Sequence, residues 1–97
     1  MEILIICTHQ QITATIARLI DSKNDWRATT AYHIEEAFAK VASQHFDVIL
    51  IGSGISDIEE HQLREQLTMS AINTPVVKHY GGGSGLLYAE IFQATNL

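Results

Sequence analysis

Two short stretches of nearly unbroken apolar residues constrain this chain more than anything else in it. Glu2–Cys7 reads EILIIC and Asp47–Ile51 reads DVILI. Runs of this length without polar alternation fit parallel strands buried on both faces. After the first run, Ile12, Ile16, Leu19 and Ile20 fall at i, i+4, i+7 and i+8, one face of a helix. Thr8-His9-Gln10-Gln11 just before them has the capping-box pattern, with the Thr8 hydroxyl set to accept from the Gln11 amide. Trp26–Tyr32 is rich in β-formers but carries Arg27, Thr29 and Thr30, which places it at a sheet edge. Ile34, Ala37, Phe38 and Val41 give a second helix. Beyond Asp47–Ile51, the most central strand, Gly52-Ser53-Gly54 turns the chain. Ser56-Asp57-Ile58-Glu59 then opens a polar third helix with Leu63 and Leu67 inside. Asn73-Thr74-Pro75 leads into a fourth strand, Val76–Tyr80. Gly81–Gly85 forms a loop, and a last helix runs from Leu86 to Thr95.

The order is β-α-β-α-β-α-β-α. Crossovers of this length make the strands parallel. The simplest arrangement is an α/β doubly wound parallel sheet of four strands in the order 2-1-3-4. At 97 residues, positions 1–97 make one domain. The single cysteine excludes an intramolecular disulfide framework and a CxxC zinc site. A net charge of −5 argues against nucleic acid as the main partner, because phosphate binding needs a basic stripe. The apolar runs fall far short of the roughly 20 residues of a membrane span. No signal-peptide pattern opens the chain, so a cytoplasmic location without a membrane partner is expected.

Three phrases carry a resemblance to a known family. They are Glu35-Glu36-Ala37-Phe38 in the second helix, Phe46-Asp47-Val48-Ile49-Leu50-Ile51 leading into the third strand, and Thr74-Pro75-Val76-Val77 opening the fourth. With their order, they make the chain resemble the receiver domain of bacterial two-component response regulators over nearly its whole length. The resemblance implies a flavodoxin-like (CheY-like) fold, truncated so that it lacks the fifth strand and helix. It also implies where a receiver's phosphorylation site would fall, and every such position is changed. The magnesium-holding acidic pair would fall at Cys7 and Thr8, neither a hard carboxylate ligand. The phosphoacceptor aspartate would fall at Gly52 and the switch threonine or serine at Tyr80. The lysine that ends strand five has no counterpart. Asp47 begins its strand, at the wrong edge of the sheet, and Asp57 at a helix start is explained by capping. The expectation is a pseudo-receiver that takes no phosphoryl group on aspartate, is not an enzyme, and serves as a signalling or protein–protein interaction module.

Other constellations are weaker. Cys7, His9 and His79 belong to the carboxyl edge of the sheet, where ligands bind in this architecture. Their strand and helix positions need not converge, so a buried cysteine beside two surface histidines is expected, with no metal and no cofactor. A cysteine or histidine after strand one is similar to phosphorylated components of sugar phosphotransferase systems, but Thr8-His9-Gln10-Gln11 supplies no glycine-rich phosphate loop. Gly81, Gly82, Gly83 and Ser84 precede a helix and are a possible anion or nucleotide loop. No GxxxxGK[ST] pattern is present, so a flexible turn is the simpler reading. A small-ligand module using this loop with Cys7, Thr8, Gly52 and Ser53 is the alternative function. His33, His45 and His61 read as solvated surface.

The last helix is apolar most of the way round. Glu90 and Gln93 alone interrupt the run from Leu86 to Ala94. Such a helix wants cover on two sides. It is expected on the face of the first helix, where it would restore two helices per face. The fourth strand becomes an edge, with Lys78 discouraging strand addition. Lys78, Leu86, Leu87, Tyr88, Ile91 and Phe92 are therefore a candidate interface, and a homodimer is the expected assembly.

Overall fold

The computed structural model describes residues 1–79 and 84–95, with the side chains of 84–86 left aside. The elements are β1 (Glu2–Ile6), α1 (Gln10–Asp21), β2 (Arg27–Ala31), α2 (Ile34–Ser43), β3 (Val48–Ile51), α3 (Asp57–Met69), β4 (Val76–Lys78) and α4 (Ser84–Thr95). The four strands are parallel and ordered β2-β1-β3-β4. The central strands are the two apolar runs, as their composition requires. Ile3 pairs with Val48 and Ile6 with Ile51.

Alternation along β1 and β3 divides the core in two. Leu4, Ile6, Ile49 and Ile51 point to one face and pack on Ala37 of α2 and on Leu63 and Leu67 of α3. Ile3, Ile5, Val48 and Leu50 point to the other face and pack on Ile16 and Ile20 of α1 and on Leu87 and Ile91 of α4. Helix α4 thus takes the α1 face, as expected, and its Tyr88 hydroxyl donates to Leu19 O at 2.9 Å. Each fully buried Ile or Leu contributes about 1.5–3 kcal/mol of transfer free energy.

Several local expectations are corrected. Leu87 and Ile91, assigned to an interface, are 1% and 0% exposed and belong to the chain's own core. On the α1 face they pack directly against Ile3, Ile5, Val48 and Leu50 of the sheet. Thr8 does not cap α1. His9 does, its Nδ1 accepting from Ile12 N at 3.3 Å, because Thr8 is drawn across to Ser53. His33 is not simply solvated; it caps α2 in the same way, accepting from Glu36 N at 3.4 Å. Ser56 and Glu59 do form the expected capping box on α3. Strand β4 ends at Lys78, and α4 begins at Ser84, earlier than its apolar pattern suggests. Leu86 lies in α4, while Tyr80, Gly81, Gly82 and Gly83 lie outside the described residues.

Candidate functional site

Parallel strands bring the ends of β1, β3 and β4 to one rim, so Cys7, Gly52 and His79 share the carboxyl edge of the sheet. Cys7 is fully buried. Its backbone continues the ladder, the amide donating to Ala31 O at 3.0 Å. Its Sγ lies 3.8 Å from His9 O and 3.9 Å from Ser53 Oγ. Gly52 lies directly against it. A Cβ at Gly52 would sit 3.1 Å from both Cβ and Sγ of Cys7. The Gly52 amide donates to Ile6 O at 2.8 Å.

The two loops beyond are bonded to each other. Thr8 N donates to Ser53 O at 3.2 Å, and Thr8 Oγ1 to the same oxygen at 3.4 Å. Gly54 has φ +90°, and a Cβ there would overlap the Thr8 side chain. Thr8, Ser53 and Gly54 thus tie the β1–α1 and β3–α3 loops together at the carboxyl edge, where the expected ligand crevice would lie. The glycine loop that would complete it, Gly81–Gly83, is outside the described residues, as is the side chain of Ser84.

The third member of the rim corrects the sequence reading. His79 is not a surface residue: it is 4% exposed, and its Nδ1 lies 2.5 Å from Glu90 Oε1 of α4. Helix α4 is thereby tied to the end of β4. In the sequence pattern Glu90 stands out only as a break in an apolar helix. The signal was available, since a lone acid on the buried side of a helix needs a partner. Cys7, His9 and His79 do not converge. Among the described residues no three His, Cys, Asp or Glu side chains are placed to hold a metal ion.

Acids do occur near this end of the sheet, outside the crevice. Glu60 accepts from Arg64 Nε at 2.9 Å and pairs with Lys78 Nζ at 3.1 Å, and Asp57 lies 3.8 Å from Lys78. Burial pushes the Glu60 carboxyl up, but the hydrogen bonds and charges of Lys78 and Arg64 outweigh it and hold it below its ordinary value of 4.5. Asp47 is at the far end of the sheet, accepting from Glu2 N at 2.7 Å.

No family model matches this sequence, and no curated protein matches it. Solved structures do. The receiver domain of the Francisella response regulator 1452 superposes with a TM-score of 0.65 at 22% identity, over 97% of this chain and 77% of that one. A fusion carrying residues 181–211 of the yeast Spc42 trimeric coiled coil matches with a TM-score of 0.67 at 21% identity, over 98% of this chain and 64% of that one. The fold is that of a receiver domain. At this identity the likeness concerns the receiver fold and leaves activity to the side chains at its rim.

Proposed function

We propose that this chain is a pseudo-receiver: a scaffold that binds protein and carries no phosphoryl group on aspartate. One observation bears most of the weight. The position matching a receiver's phosphoacceptor is Gly52, which has no side chain and lies so close to Cys7 that an added Cβ would come within 3.1 Å of its Cβ and Sγ. The matching acidic pair is Cys7 and Thr8, one buried and the other bonded to Ser53. Such a rim has no carboxylate to accept a phosphoryl group and none to hold magnesium. Incubation with acetyl phosphate and magnesium, followed by intact mass measurement, tests this. An unchanged mass is expected, and a gain of one phosphoryl group that survives at the aspartates overturns the reading.

The proposed partner is a second copy of the chain, meeting through the outer side of α4. Phe92 is half exposed there and stands edge-on to Trp26, with ring centroids 5.3 Å apart; Tyr88 meets the same indole at 5.9 Å. An aromatic group of this kind supports a contact surface, and a stable dimer needs about 800 Å² per subunit. Leu87 and Ile91 take no part in it. Sedimentation at high micromolar concentration is expected to show a dimer that Phe92→Glu dissociates; a monomeric wild type overturns this assignment. No helix among the described residues is long and apolar enough to cross a membrane. We assign a cytoplasmic setting, in keeping with the single free and buried thiol of Cys7.

A further inference from the structure

An open sheet has two edges, and a main-chain group facing out from each meets a side chain. On β2, Arg27 N donates to Met1 O and Ala31 O accepts from Cys7 N. Bonding direction alternates along a strand, so Ala28 and Thr30 turn their N–H and C=O groups away from the sheet. Asp21, the last residue of α1, closes over this edge: its Oδ1 accepts from Ala28 N at 2.9 Å. On β4, Pro75 O accepts from Ile49 N and His79 N donates to Ile51 O, so Val76 and Lys78 face outward. Arg64 of α3 reaches this edge. Its Nη2 donates to Val76 O at 3.3 Å while its Nε is held by Glu60 at 2.9 Å.

The two arrangements mirror each other in charge. A carboxylate from one face of the sheet takes an outward N–H, and a guanidinium from the other face takes an outward C=O. Outward main-chain groups on an edge are a template for strand addition. When both edges of a sheet are open, head-to-tail addition does not close and grows without limit. On β2 the one charge is Arg27 at its start; Ala28, Thr29, Thr30 and Ala31 carry none.

We propose that Asp21 and Arg64 guard the two edges of the sheet, preventing a second copy of the chain from adding its edge strand. The inference is independent of the phosphorylation reading and of the α4 contact, because its test is read relative to the wild type. Asp21→Ala and Arg64→Ala, singly and together, are compared with wild type by sedimentation velocity at high micromolar concentration. Each single variant is expected to raise the weight-average mass by about two-fold, and the double variant by more, with growth continuing over time. Amide exchange at Val76 and Thr30 should slow in the associated material. Asp21→Asn keeps an acceptor oxygen while losing the same charge, and is expected to sediment as wild type. Arg64→Lys keeps the charge but cannot serve Glu60 and Val76 together, and is expected to associate. Wild-type sedimentation of folded Asp21→Ala and Arg64→Ala overturns the proposal. So does association of Asp21→Asn equal to that of Asp21→Ala, which would make lost charge, not the lost bond, the cause.

Discussion

The two ends of the sheet have been put to opposite uses. At the carboxyl end Cys7 and Gly52 are packed in contact, and the loops beyond are joined through Thr8 and Ser53. At the amino end polar groups are dense. Asp47 accepts from Glu2 N, Gln44 donates to Glu2 Oε1 at 3.2 Å, Thr74 donates to Phe46 O at 3.0 Å, and His45 lies 3.4 Å from Asp47. Ligands in this architecture bind at the carboxyl end. At that end Cys7 and Gly52 belong to the core and Thr8 is bonded to Ser53, while the polar side chains at the other end join strands and loops together. Polarity at a rim therefore does not by itself mark a site; what matters is whether its groups are already engaged by the chain.

The largest effect is expected where the closed rim depends on backbone shape. Gly54→Ala places a Cβ at φ +90° and into Thr8. Strain and overlap together should destabilise by about 2–4 kcal/mol, read as a fall in the urea midpoint at constant slope. Gly52→Ala follows, at about 1–3 kcal/mol, because its Cβ comes 3.1 Å from Cys7 Cβ and Sγ and the fully buried Cys7 must shift to admit it. Cys7→Ala in the same chain removes the sulfur from that contact. The double variant should then be less destabilised than the sum of the two singles. Strict additivity would mean that Cys7 and an added Cβ at Gly52 do not press on each other and that the rim is looser than described.

How far these contrasts were legible in the sequence depends on the kind of interaction. The central strands were readable because burial on both faces leaves an unbroken apolar run, their parallel direction followed from connection length, and the order from the simplest doubly wound arrangement. At Cys7, Thr8 and Gly52 the sequence alone shows that no carboxylate is present, wherever their neighbours lie. The contact between Cys7 and Gly52 was not readable, since it joins residues 45 positions apart through register. Thr8 shows a second limit: a local capping pattern lost to a long-range partner, Ser53, while the neighbouring His9 took over the cap. Leu87 and Ile91 show a third. An apolar helix announces that it will be covered, but not whether its own chain or another will cover it.

The amino end supplies a smaller prediction. Asp47→Ala removes the acceptor for Glu2 N, a bond of 2.7 Å between the start of β1 and the residue before β3. Because this site is partly wetted, water can replace some of what is lost, and a cost of about 1–2 kcal/mol is expected. Asp47→Asn, which retains an acceptor oxygen, should recover most of it. If Asp47→Ala costs nothing in chemical denaturation, the amino end is not held by these bonds, and the contrast between the two ends weakens.

The smallest effect concerns the acid that stays near the carboxyl end without entering the crevice. Glu60 is held below its ordinary value of 4.5 because Lys78 and Arg64 outweigh the burial that would raise it. A carboxyl that binds its proton less readily when folded stabilises the fold in full above that ordinary value. The contribution fades as pH falls through the lower folded value. Wild type should therefore exceed Glu60→Gln in stability at neutral pH, and the two should converge in acid below 4.5. Both cationic partners are well exposed, so the difference at neutral pH should stay under about 1 kcal/mol. A gap that instead widened on acidification would mean that Glu60 is stabilised as the neutral acid. Desolvation would then govern this corner, and the crevice would be drier and more closely linked to α3 than the pairing with Lys78 implies.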